Sequence, residues 1–158
     1  MRDVTLCFLV KEKEILLGLK KRGFGKDKYN GFGGKLKDGE SIEEAALREL
    51  EEEINIKTGI KDLMKVADLT FTFPEPKRDW NQRVHVFFIN DWNGEPKESD
   101  EMRPVWTDKQ KLPFARMWAG DKYWLPMALD GKMIRGEINF KNNGDAVEKI
   151  KLNEVNEW

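Results

Sequence analysis

The stretch Gly34-Lys35-Leu36-Lys37-Asp38-Gly39-Glu40-Ser41-Ile42-Glu43-Glu44-Ala45-Ala46-Leu47-Arg48-Glu49-Leu50-Glu51-Glu52-Glu53-Ile54-Asn55-Ile56 decides how this chain folds. Ser41 followed three residues later by Glu44 is the pattern of a reciprocal N-terminal cap, so a helix is expected from Ser41 onward. Ile42, Ala45, Ala46, Leu50 and Ile54 supply its buried side. Glu49, Glu52 and Glu53 stand at i, i+3 and i+4, which puts three carboxylates on one face. Like charges so placed repel by about 0.2–0.5 kcal/mol per pair in an isolated helix. A magnesium ion, which takes hard oxygen ligands, turns that repulsion into binding. Arg48, one residue before Glu49 and four before Glu52, can hold the acids together without the ion.

Just upstream, Gly31-Phe32-Gly33-Gly34 is too rich in glycine for a plain strand interior. Glycine there implies that the backbone bends sharply or comes close to another group. A glycine turn beside an acidic helix face makes a cradle for a metal-bound phosphate. Charge alone would leave these acids as an ordinary solvated face; the flanking glycines and the internal Arg48 favour a site.

Gly34, Glu40, Arg48, Glu49, Leu50, Glu52, Glu53 and Ile56 match in register the pattern G-x5-E-x7-R-E-U-x-E-E-x-G-U, with U a bulky aliphatic. The chain therefore resembles the Nudix family. One position departs, Asn55 for glycine, and Asn accepts the left-handed conformation that ends a helix. Further segments resemble the branch of that family that hydrolyses oxidised purine nucleoside triphosphates: Lys20-Lys21-Arg22-Gly23-Phe24-Gly25, Tyr29 to Lys35, Glu98 to Pro104, and Pro113 to Trp124. The resemblance extends over roughly residues 4 to 155. The resemblance implies one Nudix domain over residues 1–158 and an α+β fold, a mixed, strongly bent sheet in an α-β-α sandwich. The strand and helix pattern agrees. Strands are expected at Val4–Val10, Ile15–Leu19, Val66–Phe73, Val84–Asn90 and Met102–Thr107. A helix is expected over Trp118–Leu129 and a hairpin from Met133–Phe140 and Val147–Leu152, around Asn142-Asn143-Gly144.

With 158 residues the chain is one domain with a real core. A net charge of −1 gives no broad pull toward a nucleic acid polymer. No apolar run reaches membrane-spanning length, and no secretory signal segment opens the chain. One cysteine, Cys7, in an apolar run, reads as a core residue in a reducing cytoplasm. A monomer acting on a small-molecule nucleoside triphosphate is expected. His85, the sole histidine, lies in a strand and reads as structural.

The resemblance, with the residue types, gives the expected site. Glu49, Glu52, Glu53 and Glu101, with the Gly33 carbonyl, are the expected ligands of magnesium, for which manganese substitutes. Arg48 supports them, and the general base is one of Glu52, Glu53 and Glu101. Lys20 and Lys35 are candidates for phosphate oxygens, next to Phe32, Gly33 and Gly34. Base recognition falls to Thr5, Phe24, Asn30, Phe71, Trp118, Asp121 and Trp124. The family carries two adjacent aspartates after the tryptophan; Trp118-Ala119-Gly120-Asp121 keeps the second only, and Gln82 replaces a pocket methionine. The implied reaction cleaves 8-oxo-dGTP, and less readily 2-hydroxy-dATP, to the monophosphate and pyrophosphate, which would keep damaged bases out of DNA. Two alternatives stay open on the sequence: a Nudix enzyme for another nucleotide, such as a dinucleoside polyphosphate or an unmodified triphosphate, and a non-catalytic nucleotide-binding module.

Overall fold

A computed structural model describes residues 1–158. The alternation of apolar residues in Arg2–Leu9 (β1) sets the layering. Val4, Leu6 and Phe8 enter one core, and Cys7 and Leu9 enter a second on the opposite face. A strand buried on both sides reads as a near-continuous apolar run because helices cover both faces. The further elements are Glu14–Lys20 (β2), Tyr29–Asn30 (β3), Ile42–Ile54 (α1), Met64–Thr72 (β4), Gln82–Ile89 (β5), Met102–Asp108 (β6), Asp121–Leu129 (α2), Met133–Lys141 (β7) and Ala146–Val155 (β8).

Two sheets result. The larger is mixed, in the order β1-β5-β4-β7-β8, with β1 parallel to β5 and β4 parallel to β7. The smaller is antiparallel, in the order β3-β2-β6. The bend expected from the sequence lies where residues 29–35 pass from one sheet to the other. Asn30 pairs with Gly18 of β2, then Phe32 and Lys35 bridge to Cys7 and Val4 of β1. That crossing carries the glycine segment along the edge of β1.

Helix α1 closes one face through Ala46, Leu50 and Ile54; α2 closes the other through Trp124, Leu125 and Ala128. The expected capping box is present: Ser41 Oγ accepts from the Glu44 N–H, and the Glu44 carboxylate accepts from the Ser41 N–H, both at 3.0 Å. Asn55 ends α1 at φ 60, ψ 36, the left-handed conformation required where the family has glycine. The second helix starts later than its sequence suggests. Phe114–Arg116 forms a single 3-10 turn, Met117 is extended, and α2 begins only at Asp121, so Trp118 stands in the connection and not on the helix. Pro126 sits within α2, where its missing N–H removes one helical bond. No helix is long and apolar enough to cross a membrane.

Candidate active site

Packing of α1 against the glycine segment builds the acidic half of the site. Glu53 lies on the buried side of the helix with Ala46, Leu50 and Ile54 and is 7% exposed. Its Oε1 accepts from the Gly33 N–H at 3.3 Å, while Oε2 has no partner in the chain. Burial, then the neighbouring Glu49, pushes its carboxyl up to about 9. The same burial, with Glu53 and Glu49 nearby, pushes the Cys7 thiol up, so Cys7 is an inert core residue. The glycines are there because nothing larger fits. A Cβ on Gly33 would overlap the Thr5 carbonyl, and one on Gly34 would lie 2.6 Å from Glu49 Oε1.

Arg48 is the hub that holds the other acids. Its guanidinium donates to both Glu40 oxygens at 2.7 and 2.9 Å, to Glu49 Oε1 at 3.0 Å, to Glu52 Oε2 at 3.2 Å and to the Lys35 carbonyl at 3.1 Å. Its bond to Arg48 holds the Glu40 carboxyl down at about 2. Glu40, one of the fixed positions of the motif pattern, is thus tied to the positioning arginine and not to the cavity. Across the cleft, Lys20 Nζ lies 3.4 Å from Glu101 Oε2. Glu49, Glu52, Glu53 and Glu101, with Arg22, Ser99 and Asp100, line one cavity of about 350 Å³ that has no apolar wall. The four expected carboxylate ligands thus share one cavity, with Gly33, the fifth, in the wall of the neighbouring one, although no three carboxylates are already drawn together at ligand distances. Hard oxygen donors, an unpartnered buried carboxylate oxygen and a backbone kept free of Cβ atoms fit a divalent cation.

A second cavity of about 520 Å³ opens beside the first. Thr5, Lys20, Phe24, Asn30, Gly33, Gly34, Lys35, Phe71 and Trp118 line it, as expected, with Gln82 among them. Three expected binding residues do not. Phe32 is fully buried in the α1 core because its register against Cys7 turns the ring inward. Trp124 is fully buried in the α2 core, its indole N–H donating to Asp121 Oδ1 at 3.0 Å. Asp121, at the first turn of α2, is 3% exposed and not among the lining residues, with Oδ2 unpartnered and with Trp118 and Lys28 of the chamber acting on its carboxyl. Burial pushes its carboxyl up to about 7. The place of the missing first acid is filled: a Cβ on Gly120 would lie 2.8 Å from Ile138 Cδ1.

Phe24 and Trp118, both expected to face a base, stack on each other, with centroids 5.1 Å apart and planes 25° apart. A flat ring between them needs about 3.5 Å on each side, so one of them moves when a base enters that slot. Arg2, Lys28, Phe73, Asp79 and Trp80 also line this cavity and were not legible as site residues. They come from loop and strand ends with no motif spacing. His85 belongs to neither cavity. It is 1% exposed, with Nε2 2.9 Å from Asp3 Oδ1 and Nδ1 3.1 Å from Lys65 Nζ, a structural polar cluster as expected.

The two cavities meet at one side chain, Glu53, which lines both. An aromatic, cation-rimmed chamber thus opens directly onto a carboxylate chamber, an arrangement suited to a ligand that is aromatic at one end and polyanionic at the other. A sequence profile of the NUDIX domain matches residues 1–128, and the chain belongs to the Nudix family. A protein of Danio rerio named oxidized purine nucleoside triphosphate hydrolase is 44% identical over 152 residues, 96% of this chain and 94% of that one. Its namesake in Mus musculus is 39% identical over 157 residues, 99% and 97% of the two chains. Among solved structures, a mutator MutT protein from Bacillus halodurans superposes with a TM-score of 0.81 at 25% identity, over 97% of this chain and 98% of that one.

Proposed function

We propose that this chain hydrolyses oxidised purine nucleoside triphosphates, 8-oxo-dGTP foremost, to the monophosphate and pyrophosphate. The observation that carries the reading is the junction at Glu53: a base held among Phe24, Phe71 and Trp118 leaves its phosphates pointing toward the carboxylates. The names of relatives that match nearly the whole chain support the same substrate class. Removal of such nucleotides from the precursor pool in the cytoplasm, by a monomer, is the accompanying expectation.

Glu49, Glu52, Glu53 and Glu101, with the Gly33 carbonyl, would hold magnesium, or manganese in its place. When bound, the cation neutralises phosphate charge and lowers the pKa of an attacking water. The remaining work falls to the chain's own groups. Arg2, Lys20, Lys28 and Lys35 line the chamber, and Lys20, beside Glu101, and Lys35 balance the charge of the phosphates. Asn30 fixes the base: its Oδ1 already accepts from the Gly31 N–H at 2.9 Å, so its amide N–H groups are the ones left for the ligand. Arg48 keeps Glu49 and Glu52 aligned. The proton of the attacking water goes to Glu52, Glu53 or Glu101; Glu52 is the first choice because its side chain is half exposed, with room for water.

Steady-state release of pyrophosphate from 8-oxo-dGTP, 2-hydroxy-dATP, dGTP and a dinucleoside polyphosphate, with magnesium and with EDTA, tests this. The highest kcat/KM is expected on 8-oxo-dGTP, with activity abolished by EDTA. A preference for the dinucleoside polyphosphate transfers the chain to another Nudix substrate class. No release from any of them makes it a binding module.

A further inference from the structure

The end of β2 carries three cations in succession, Lys20, Lys21 and Arg22, and the fold uses the third differently from the other two. Lys20 Nζ lies 3.4 Å from Glu101 Oε2. Lys21 Nζ donates to Glu98 Oε2 at 2.6 Å and to the Ser99 carbonyl at 2.9 Å, and the Lys21 N–H donates to the Glu101 carbonyl at 2.8 Å. These bonds fasten the start of the loop to residues 98–101. Arg22, the next residue, is exposed and pairs with no acid of the chain, because its two neighbours have taken the nearest ones. Gly23 follows at φ +78, a left-handed turn that carries the backbone away directly after Arg22.

Arg22 lines the carboxylate cavity and not the aromatic one. It is the single cation in that lining, against five carboxylates, Glu49, Glu52, Glu53, Asp100 and Glu101. A nucleoside triphosphate with its base among Phe24, Phe71 and Trp118 passes Lys20, Lys35 and Glu53 first, so its outer phosphates are the part that enters this cavity. There they meet a wall of like charge. A bound cation offsets part of the repulsion. The Arg22 guanidinium is the chain's own group in the lining that can offset more, and its planar fork matches phosphate oxygens in pairs, which an ammonium does not. We infer that Arg22 grips the β- and γ-phosphates, the part of the substrate that leaves as pyrophosphate, and thereby favours triphosphates over monophosphates at this site. This deepens the reading of the chain as a triphosphate hydrolase and rests on it.

The test compares the whole chain with Arg22→Ala and Arg22→Lys, each expected to keep the wild-type melting temperature because the side chain is exposed and unpaired. Binding in magnesium is followed by tryptophan fluorescence for two ligands. One is the imido analogue of 8-oxo-dGTP, with nitrogen bridging the α- and β-phosphates, which carries the outer phosphates and is not cleaved. The other is 8-oxo-dGMP, which lacks them. Loss of a charge-assisted contact to phosphate predicts that Arg22→Ala weakens the triphosphate analogue about tenfold or more and leaves 8-oxo-dGMP within about twofold. Arg22→Lys falls between. Magnesium alone, read from its effect on the melting temperature, should bind Arg22→Ala at least as well as wild type, since a positive charge has left an acidic cavity. Weaker magnesium binding would instead mean that Arg22 arranges the carboxylates, and it overturns the proposal. So does an equal loss on both nucleotides, or no loss on either. A loss confined to the triphosphate, in a chain that never releases pyrophosphate, keeps the phosphate grip and removes only the hydrolase reading. Pyrophosphate release with undiminished analogue binding by Arg22→Ala does the opposite.

Discussion

Substituting Asp121→Asn should make this protein more stable at neutral pH, and the gain should vanish in acid. The carboxyl is 3% exposed, accepts one bond from the Trp124 indole and leaves Oδ2 without a partner. Burial raises it from 3.8 to about 7. A carboxyl raised in the folded state contributes stability that is complete below its unfolded value and is lost as pH climbs to the folded one. Each pH unit inside that window is worth about 1.36 kcal/mol. Between pH 5 and pH 7 the wild type should therefore lose about 2–3 kcal/mol that the asparagine variant, which has no proton to surrender, keeps. Asn retains the acceptor for Trp124, but its buried NH2 group adds an unmet donor, a pH-independent penalty of about 1–3 kcal/mol. By the same arithmetic wild type has lost about 1.6 kcal/mol by pH 5 and about 4 by pH 7, so the variant is expected to be level with wild type or below it at pH 5 and more stable at pH 7. For a domain of this size about 2–4 °C accompanies each kcal/mol, so the difference in melting temperature should move by about 5–10 °C across the interval. Thermal unfolding followed by circular dichroism, in EDTA so that bound cations do not contribute, reads this out. A difference that stays constant from pH 5 to pH 7 refutes the picture of a buried, partnerless carboxyl.

Two further substitutions address the acid face. Glu53→Gln should abolish the magnesium-induced rise in melting temperature and lower kcat by about 10²-fold or more, while 8-oxo-dGMP still binds; retention of the magnesium shift would remove Glu53 from the ligand set. Arg48→Ala removes the partner of the half-buried Glu49 and leaves Glu40 only the Lys37 N–H. It should lower the midpoint of urea unfolding and raise the magnesium concentration needed for half-maximal activity, and Arg48→Lys should restore little because one ammonium cannot reproduce the guanidinium fork.

The acidic half of the site was legible because its information is local. A capping pair, an i, i+3, i+4 acid set and a glycine run fall within 26 residues, Gly31 to Ile56, and helical geometry alone converts that spacing into a face. The structure adds what spacing cannot carry. Glu53 is turned to the buried side of α1, whereas Glu52, its neighbour, has a side chain half in solvent. That difference depends on where residues 29–35 cross between the sheets, a pairing of segments distant from the helix. The strands were likewise legible to within two residues at most ends, since apolar alternation is a local signal. The start of α2 was misjudged because Trp118 and Ala119 suit a helix by composition, and the 3-10 turn at Phe114–Arg116 that delays it leaves no residue signature.

The aromatic half resisted reading for a different reason. Apolar aromatic residues are needed both for cores and for base slots, and composition does not separate the two uses. Trp124 and Trp118 lie six residues apart, yet one is sealed in the core and the other stacks on an exposed phenylalanine. Asp121 shows the same ambiguity with a charge: the first turn of α2 carries it inward, where burial holds its proton near neutrality. Resemblance can place a residue at the right point of the chain, but its exposure is set by packing, as Ile138 against the Gly120 backbone leaves no room there for a side chain. Chemistry at the phosphate end and selectivity at the base end therefore rest on different kinds of sequence information. Substitutions in the first should be tolerated poorly because five bonds converge on Arg48. The second cavity draws part of its lining from loop residues, and loops accept substitution more readily than the elements they connect.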